Sequence, residues 1–147
     1  MHSFTSIVVH CVWTTKNRDA TLNPELRHRL CRYIGGIARE NKMKALAIGG
    51  TADQIHTLVS LPGTLSIAKA VQLLKGNSSK WIHDTFPKLH LFQWQEGYGA
   101  FSIGVSGIEA TVAIQNQDEH HRTRSFREEF KAMLRTHGFD FDERMLD

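Results

Sequence analysis

The stretch KALAIGGTADQIHTLVSLP, residues 44–62, decides the fold, because two apolar runs flank a short polar connection. QIHTLVSLP alternates polar and apolar residues, which predicts a strand, and KALAIGG predicts a second strand before it. The connection, from Gly50 to Asp53, has the composition of a tight turn. The stretch therefore predicts an antiparallel β-hairpin.

One helix and one strand flank the hairpin on each side. Upstream, TSIVVHCVWTT (5–15) is apolar on both faces, which predicts a central strand, and NPELRHRLCRYIGGIAREN (23–41) predicts a helix capped by Asn23. Downstream, SIAKAVQLLKGNSSKWIHDTF (66–86) predicts a helix that is interrupted or bent near Gly76 to Ser79. GYGAFSIGVS (97–106) then predicts a further strand.

Two capping boxes predict additional helices near the C-terminus. Ser106 with Glu109 begins a third helix that runs to about His121, and Ser125 with Glu128 begins a fourth. The order strand, helix, strand, strand, helix, strand is that of the split βαβ, ferredoxin-like arrangement. We therefore predict an α+β fold whose mainly antiparallel sheet carries helices on one face, with C-terminal helices added. The other face of the sheet is then available for a site or a partner.

Composition limits the class of protein only broadly. A chain of 147 residues without an internal repeat or a linker predicts one domain over 1–147. Two cysteines, Cys11 and Cys31, are too few for a disulfide framework, and no signal peptide or membrane-length apolar run is visible, so a cytoplasmic protein is expected. The formal charge of +3 suits an anionic partner only weakly.

The hairpin carries one polar pair with possible chemistry. Alternation places Gln54 and His56 on one face of their strand, about 7 Å apart by the strand rise, where two ligands can share a cation. On spacing alone, a solvated or hydrogen-bonded pair is the simpler interpretation. Asp53 is a conceivable substitute carboxylate ligand, but its position also fits an ordinary turn residue.

Five blocks of sequence carry a resemblance that changes this interpretation. They are TTKNR (14–18), GGTADQIHTLVSLP (49–62), LLKGNSSKWI (73–82), FQWQEGYGAFSIGVS (92–106) and NQDEHHRTRSFREEF (116–130). In this order, they resemble the small single-tyrosine HUH transposases of bacterial insertion sequences and their REP-associated relatives. The resemblance implies a dimeric, ferredoxin-like protein that recognises hairpins in single-stranded DNA.

The resemblance also implies a catalytic site. In this family, two histidines that flank a hydrophobic residue, with a glutamine from the third helix, hold a divalent metal (Mg²⁺ or Mn²⁺). A tyrosine four residues before that glutamine attacks the phosphate and forms a covalent intermediate. The metal polarises the phosphate oxygens and the positioned hydroxyl is the nucleophile.

Two positions of this chain depart from the family site. Gln54 replaces the first metal-binding histidine, while His56 and Gln117 match the other two ligands. Ala113 stands where the family has its nucleophilic tyrosine. Loss of a covalent nucleophile commonly costs about 10⁶ in turnover. The comparison therefore predicts a catalytically degenerate member whose metal binding is weak or absent.

The two tyrosines of the chain are poor substitutes for that nucleophile. Tyr33 falls on the apolar stripe of the first predicted helix, which favours a role in the core or in a dimer contact. Tyr98 lies before the third helix, where the family has a separate tyrosine, and it remains a weak alternative nucleophile.

Scattered basic residues are the candidates for contacts with nucleic acid. Together they could line a groove for single-stranded DNA, with Trp81 and Trp94 as stacking candidates for which core packing is the simpler interpretation. These basic residues are Lys16, Arg18, Lys75, Lys80, Arg122 and Arg124. Three hypotheses stay open: a degenerate protein that binds hairpin DNA, an active metal-dependent nuclease or transposase with an altered site, and a dimeric interaction protein that does not bind DNA.

Overall fold

A computed structural model of the chain describes residues 2–104 and 107–108. The chain divides into two compact units, Met1–Asn116 and Gln117–Asp147, and the described residues lie in the first. The single domain predicted over 1–147 stays a prediction, and the predicted third and fourth helices lie outside the described residues. The elements are β1 (Val8–Thr14), α1 (Pro24–Glu40), β2 (Lys44–Gly50), β3 (Gln54–Ser60), α2 (Ile67–Thr85) and β4 (Gly99–Ser102), with short 3₁₀ turns at Lys16–Arg18 and Pro87–Leu89.

Both helices begin at side-chain caps. The carboxamide oxygen of Asn23 accepts a hydrogen bond of 2.9 Å from the backbone N–H of Leu26, which confirms the predicted cap of α1. Ser66 caps α2 in the same way by accepting from the N–H of Lys69 at 3.1 Å. These caps satisfy backbone donors that have no partner within the helix.

The interruption predicted within α2 is wrong, because the helix continues through Gly76 and Ser79. The hydroxyl of Ser78 donates to the carbonyl of Lys75 at 3.0 Å, so its proton is used in a hydrogen bond within the helix. Leu74 and Ile82, one turn to either side of Ser78, are fully buried and hold the helix against the core. Burial of this stripe outweighs the low helix propensity of the GNSS run.

The sheet has the order β2-β3-β1-β4 with every neighbouring pair antiparallel. This is the order of the ferredoxin-like fold, and the predicted fold class is confirmed. β1 lies between β3 and β4, as its two apolar faces predict. The registers Val12↔His56 and Thr14↔Gln54 place the end of β1 beside the start of β3. That corner of the sheet carries the candidate site.

The main core lies between the sheet and the two helices. Its strand residues include Val9, Cys11 and Trp13 of β1 and Ile55 and Val59 of β3, and its helix residues include Leu30, Ile34 and Leu74. Within the described residues, no helix is long and apolar enough to cross a membrane.

The opposite face of the sheet is less open than the sequence suggests. Val12 and Leu58, at the centre of this face, are 1% and 0% exposed. His10 and Phe101 are cross-strand neighbours on the same face and are also buried. Polar groups on this face therefore lie in a largely dry setting, in which their hydrogen-bond partners matter more than they would in water.

Candidate metal site and nucleic-acid interface

Gln54 and His56 share one face of β3, as their alternation predicts, and this face of the sheet points away from the helices that cover Ile55 and Val59. Gln54 is 1% exposed and His56 is 5% exposed. Each is paired across the sheet with a residue of β1, Thr14 and Val12 respectively. The pair is therefore not a solvated surface pair.

His10 of β1 is a polar partner of His56. The Nε2 atom of His10 lies 3.2 Å from Nδ1 of His56, and the two rings stack with centroids 5.4 Å apart and planes inclined by 27°. A hydrogen bond between two imidazole nitrogens uses one donor and one acceptor, so a single proton lies between the rings. The contact fixes the orientation of the His56 ring and leaves its Nε2 atom as the nitrogen that faces away from His10.

The donor set at this position is poor for a metal. Within residues 2–104 and 107–108, no group of three His, Cys, Asp or Glu side chains is arranged to hold a metal ion. The amide oxygen of Gln54 and the imidazole of His56 make a mixed pair that suits transition metals less well than two imidazoles do. The third family ligand, Gln117, and the nucleophile position, Ala113, lie outside the described residues.

Asp53 behaves as a turn residue in the hairpin. Its carboxylate accepts a hydrogen bond of 2.9 Å from the hydroxyl of Thr51, and its backbone carbonyl accepts one of 2.9 Å from the N–H of Thr15. The hairpin turn is thereby tied to the end of β1. This use of the carboxylate favours the turn role over the role of a substitute metal ligand.

Three of the five resembling blocks meet at this corner of the sheet. The backbone of residues 93–95 runs beside the end of β1, where the N–H of Gln95 donates to the carbonyl of Thr14 at 2.9 Å and that of Lys16 donates to the carbonyl of Gln93 at 3.0 Å. Side chains reinforce the contact. Lys16 Nζ donates to Oε1 of Gln93 at 3.1 Å, and the N–H of Asn17 donates to Oε1 of Gln95 at 3.1 Å.

Lys75 holds the same segment from the side of α2. Its ammonium group donates to the carbonyls of Gln95 and Gly97 at 2.7 and 2.9 Å. Burial lowers the pKa of Lys75, while nearby Glu96 raises it. Because two of the three N–H groups are engaged, Lys75 is first a clamp on the segment that leads into β4, with little capacity left for a phosphate.

The loop Lys16–Arg18 is exposed and has an unusual backbone. Asn17 and Arg18 have φ angles of 58° and 55°, in the left-handed region that non-glycine residues seldom adopt. The glutamine contacts described above hold the loop in this conformation. We refer to residues Lys16–Arg18 as the basic loop. Lys80 on α2 is also exposed, whereas Arg122 and Arg124 lie outside the described residues.

The aromatic candidates are used mainly in packing. The indole N–H of Trp94 donates to Ser78 Oγ at 3.1 Å, and its ring meets Phe92 edge-on at 4.8 Å. Trp81 stacks on Tyr33, with centroids 4.8 Å apart and planes inclined by 15°. Tyr33 thus belongs to the junction of α1 and α2. Tyr98, in contrast, is 44% exposed and follows Gly97, whose φ is 87°.

Local sequence patterns do not reveal the roles of His10 and of two glutamines, Gln93 and Gln95. Alternation places His10 on the same face of β1 as Val12, but it does not reveal which strand lies beside it. The pairing with β3, 46 residues along the chain, supplies that information. For the glutamines, the alternation in FQWQ is a usable signal, because it turns both side chains to one side of an extended segment.

Comparison of the sequence with known proteins finds matches to transposases. The family model for IS200-like transposases matches residues 3–117. The IS200 transposases of Salmonella typhimurium and Salmonella typhi are each 24% identical over 118 residues, which covers 77% of this chain and 78% of each relative.

Two solved structures resemble the fold. A candidate transposase from Deinococcus radiodurans has a TM-score of 0.66 and 23% identity, with 80% of this chain and 97% of that chain covered. A REP-associated tyrosine transposase bound to a REP hairpin has a TM-score of 0.57 and 14% identity, with coverages of 95% and 74%. Because the family match spans most of its length, the chain belongs to the IS200-like transposase family.

Proposed function

We propose that this protein binds single-stranded DNA that contains a hairpin, and that it has lost the strand-transfer chemistry of its family. The observation that carries the proposal is the exposed, conformationally fixed basic loop. A hairpin-bound relative with the same fold makes hairpin DNA the natural ligand to test. In this proposal the protein acts as a homodimer in the compartment that holds the DNA, the cytoplasm of a bacterium.

The basic loop suits contacts with phosphates for two physical reasons. Lys16 and Arg18 place two cations beside each other on an exposed turn, and Asn17 adds a neutral donor. A loop that already has its bound conformation loses less entropy when DNA binds. The hydrogen bonds that the loop donates to Gln93 and Gln95 supply that preorganisation.

The catalytic part of the proposal follows from the two departures from the family site. The methyl group of Ala113 cannot attack a phosphate, and the Gln54 amide replaces one imidazole of the metal site. Gln54, His56 and Gln117 would hold Mg²⁺ or Mn²⁺ weakly if they meet, and a bound metal would polarise a phosphate oxygen. Without a nucleophile, that polarisation leads to no covalent intermediate.

The test is one incubation of the protein with labelled hairpin and unstructured DNAs, with Mn²⁺ or with chelator, on native and denaturing gels. The proposal predicts a salt-sensitive shift of the hairpin with no cleavage and no covalent adduct. Absence of a shift at low salt would refute DNA binding. A metal-dependent product would instead refute the loss of chemistry.

A matched pair of variants locates the contact. Lys16→Ala with Arg18→Ala should weaken hairpin binding and reduce the salt slope of the logarithm of affinity by about two. Lys44→Ala is the control, because Lys44 is exposed at the end of the sheet opposite to the basic loop, where β2 pairs with Ser60. Lys44→Ala removes one charge where the loop variant removes two, so half of the loop effect in Lys44→Ala would show that net charge, and not the loop, is responsible.

A further inference from the structure

A cavity of about 240 Å³ opens between the basic loop and the segment 88–93. Lys16, Asn17 and Asp19 line one side, and Lys88, Leu91 and Phe92 belong to the other. Ligand pockets for drug-sized molecules are usually ~300–1,000 Å³. The cavity is thus of the size for one small planar group with its attached phosphate, and too small for two stacked nucleotides.

The walls of this cavity are held in place by bonds within the protein. The hydroxyl of Thr15 donates to the carbonyl of Asp19 at 2.7 Å, which fixes the chain as it leaves the basic loop. Lys16 Nζ is bonded to Gln93 Oε1 at 3.1 Å and so links the two sides. The shape of the cavity therefore does not depend on a ligand.

Its chemistry combines an apolar side, two cations and a carboxylate. Phe92 is buried at the cavity, whereas the side chain of Leu91 is 81% exposed. Lys16 and Lys88 are exposed at the same cavity. Within the part of the chain that the structure describes, the Asp19 carboxylate, the Asn17 side-chain amide and the Lys88 ammonium make no hydrogen bond.

The cavity is close to the candidate metal position along the backbone. Thr15 lines the cavity, follows Thr14, and donates its N–H to the carbonyl of Asp53 at 2.9 Å. Thr14 is paired with Gln54 across the sheet. The backbone of this corner therefore links one wall of the cavity to the strand end that carries Gln54.

We propose that the cavity receives one unpaired base of the DNA strand that flanks the hairpin, and that Asp19 selects guanine. An ionised carboxylate only accepts hydrogen bonds, and guanine presents two adjacent N–H donors, at N1 and N2, on its Watson–Crick edge. The Asn17 amide can donate to the guanine O6 atom, and Lys16 and Lys88 are placed for the attached phosphate. Thymine offers the carboxylate a single N–H. This inference rests on the proposed binding of hairpin DNA.

The experiment is a scan of a hairpin that has four unpaired nucleotides on each side. Each unpaired position is replaced in turn by an abasic site, and the position that responds is then tested with all four bases. Discrimination by a good bidentate contact corresponds to about 5- to 150-fold in affinity. The wild-type protein should show one such sensitive position with guanine preferred, and Asp19→Asn should reduce the guanine preference to less than about twofold.

Two further variants control the scan. Glu40→Gln removes an exposed carboxylate at the end of α1 and should leave the profile unchanged. Lys88→Ala should weaken binding of the flanked hairpin but not of a blunt hairpin, and it keeps the inference testable if Asp19→Asn folds poorly. A flat abasic scan, or a sensitive position whose base preference survives both cavity variants, would overturn the inference while hairpin binding stands.

If no hairpin binds at all, the proposed function fails and a direct measurement decides the inference. Titration of the protein with dGMP and with TMP, followed by NMR, should show binding of dGMP that Asp19→Asn abolishes. Equal response to both nucleotides, or response to neither at millimolar concentration, would overturn it.

Discussion

The Gln54–His56 pair and the basic loop lie at the same corner of the sheet, yet they differ in burial and in the contacts that fix their conformation. The pair is buried on a strand, and His56 has a fixed aromatic partner in His10. The loop is exposed, and its shape depends on the hydrogen bonds that it donates to Gln93 and Gln95. In the proposed function, recognition is thus assigned to residues other than those of the family's catalytic site, so replacement of a catalytic group need not disturb the proposed DNA-binding surface.

The strongest way to break this comparison is to restore the chemistry without changing the loop. Gln54→His with Ala113→Tyr should give metal-dependent cleavage and a covalent DNA adduct, a gain of ~10⁶. The adduct is measured on a denaturing gel. Gln54→His with Ala113→Phe supplies the control, since it has the ring but no hydroxyl. Restored protein that binds hairpins but forms no adduct would show that Ala113 is not the nucleophile position.

A second substitution separates stability from binding. His10→Ala removes the buried partner of His56 and should lower the free energy of unfolding by about 1–3 kcal/mol in a urea titration, with hairpin affinity unchanged. Arg18→Ala should do the reverse, with a change in stability within about 0.5 kcal/mol and a measurable loss of affinity. His10→Phe keeps a ring and isolates the hydrogen bond. Equal effects of His10→Ala and Arg18→Ala on affinity would show that the two regions do not contribute separately to DNA binding.

Cys11, which follows His10 and lies on the helix-facing side of β1, allows a test of burial through the pH dependence of stability. Burial raises the pKa of the Cys11 thiol to about 11, from an ordinary value of 9.0. Because the folded-state pKa is the higher one, the stability that this thiol contributes is complete below pH 9 and is lost as pH rises toward 11. The loss should reach about 2 kcal/mol by pH 11. Unfolding of wild type and Cys11→Ala measured across this window gives the difference, and parallel curves would contradict the prediction.

The smallest expected effect concerns the clamp that supports the loop. Lys75→Met removes two hydrogen bonds to carbonyls. Because Lys75 is partly exposed, the free energy of unfolding should fall by only about 1 kcal/mol. Hydrogen exchange at the amides of residues 95–97 should become faster. Lys80→Met, on the same helix and exposed, should leave that exchange as it is. If exchange does not change in either variant, Lys75 does not hold the segment.

Local patterns were sufficient for the elements but not for the contacts between them. Alternation and capping predict the hairpin, the central place of β1 and the start of α1 at Asn23, because each depends on neighbours in sequence. The interruption predicted in α2 fails because burial of Leu74 and Ile82, a tertiary effect, outweighs local propensity.

The site shows the same limit. The shared face of Gln54 and His56 is predictable from alternation alone. The contact of His10 with His56 and the grip of Lys75 on Gln95 and Gly97 depend on strand register and helix placement. Neither contact leaves a local pattern in the sequence. Lys75, which the sequence offers as a candidate for DNA contacts, therefore has two of its N–H groups bonded within the protein.

The order of events during folding follows from the partners of the basic loop. Lys16 and Asn17 are bonded to residues 77 and 78 positions later in the chain. Contacts of such long separation close late, after the loop-closure entropy of the intervening chain has been overcome. On a ribosome the loop cannot take its final shape until the segment around Gln95 has emerged. We therefore expect the nascent protein to acquire the proposed affinity for DNA only after the segment around Gln95 has emerged.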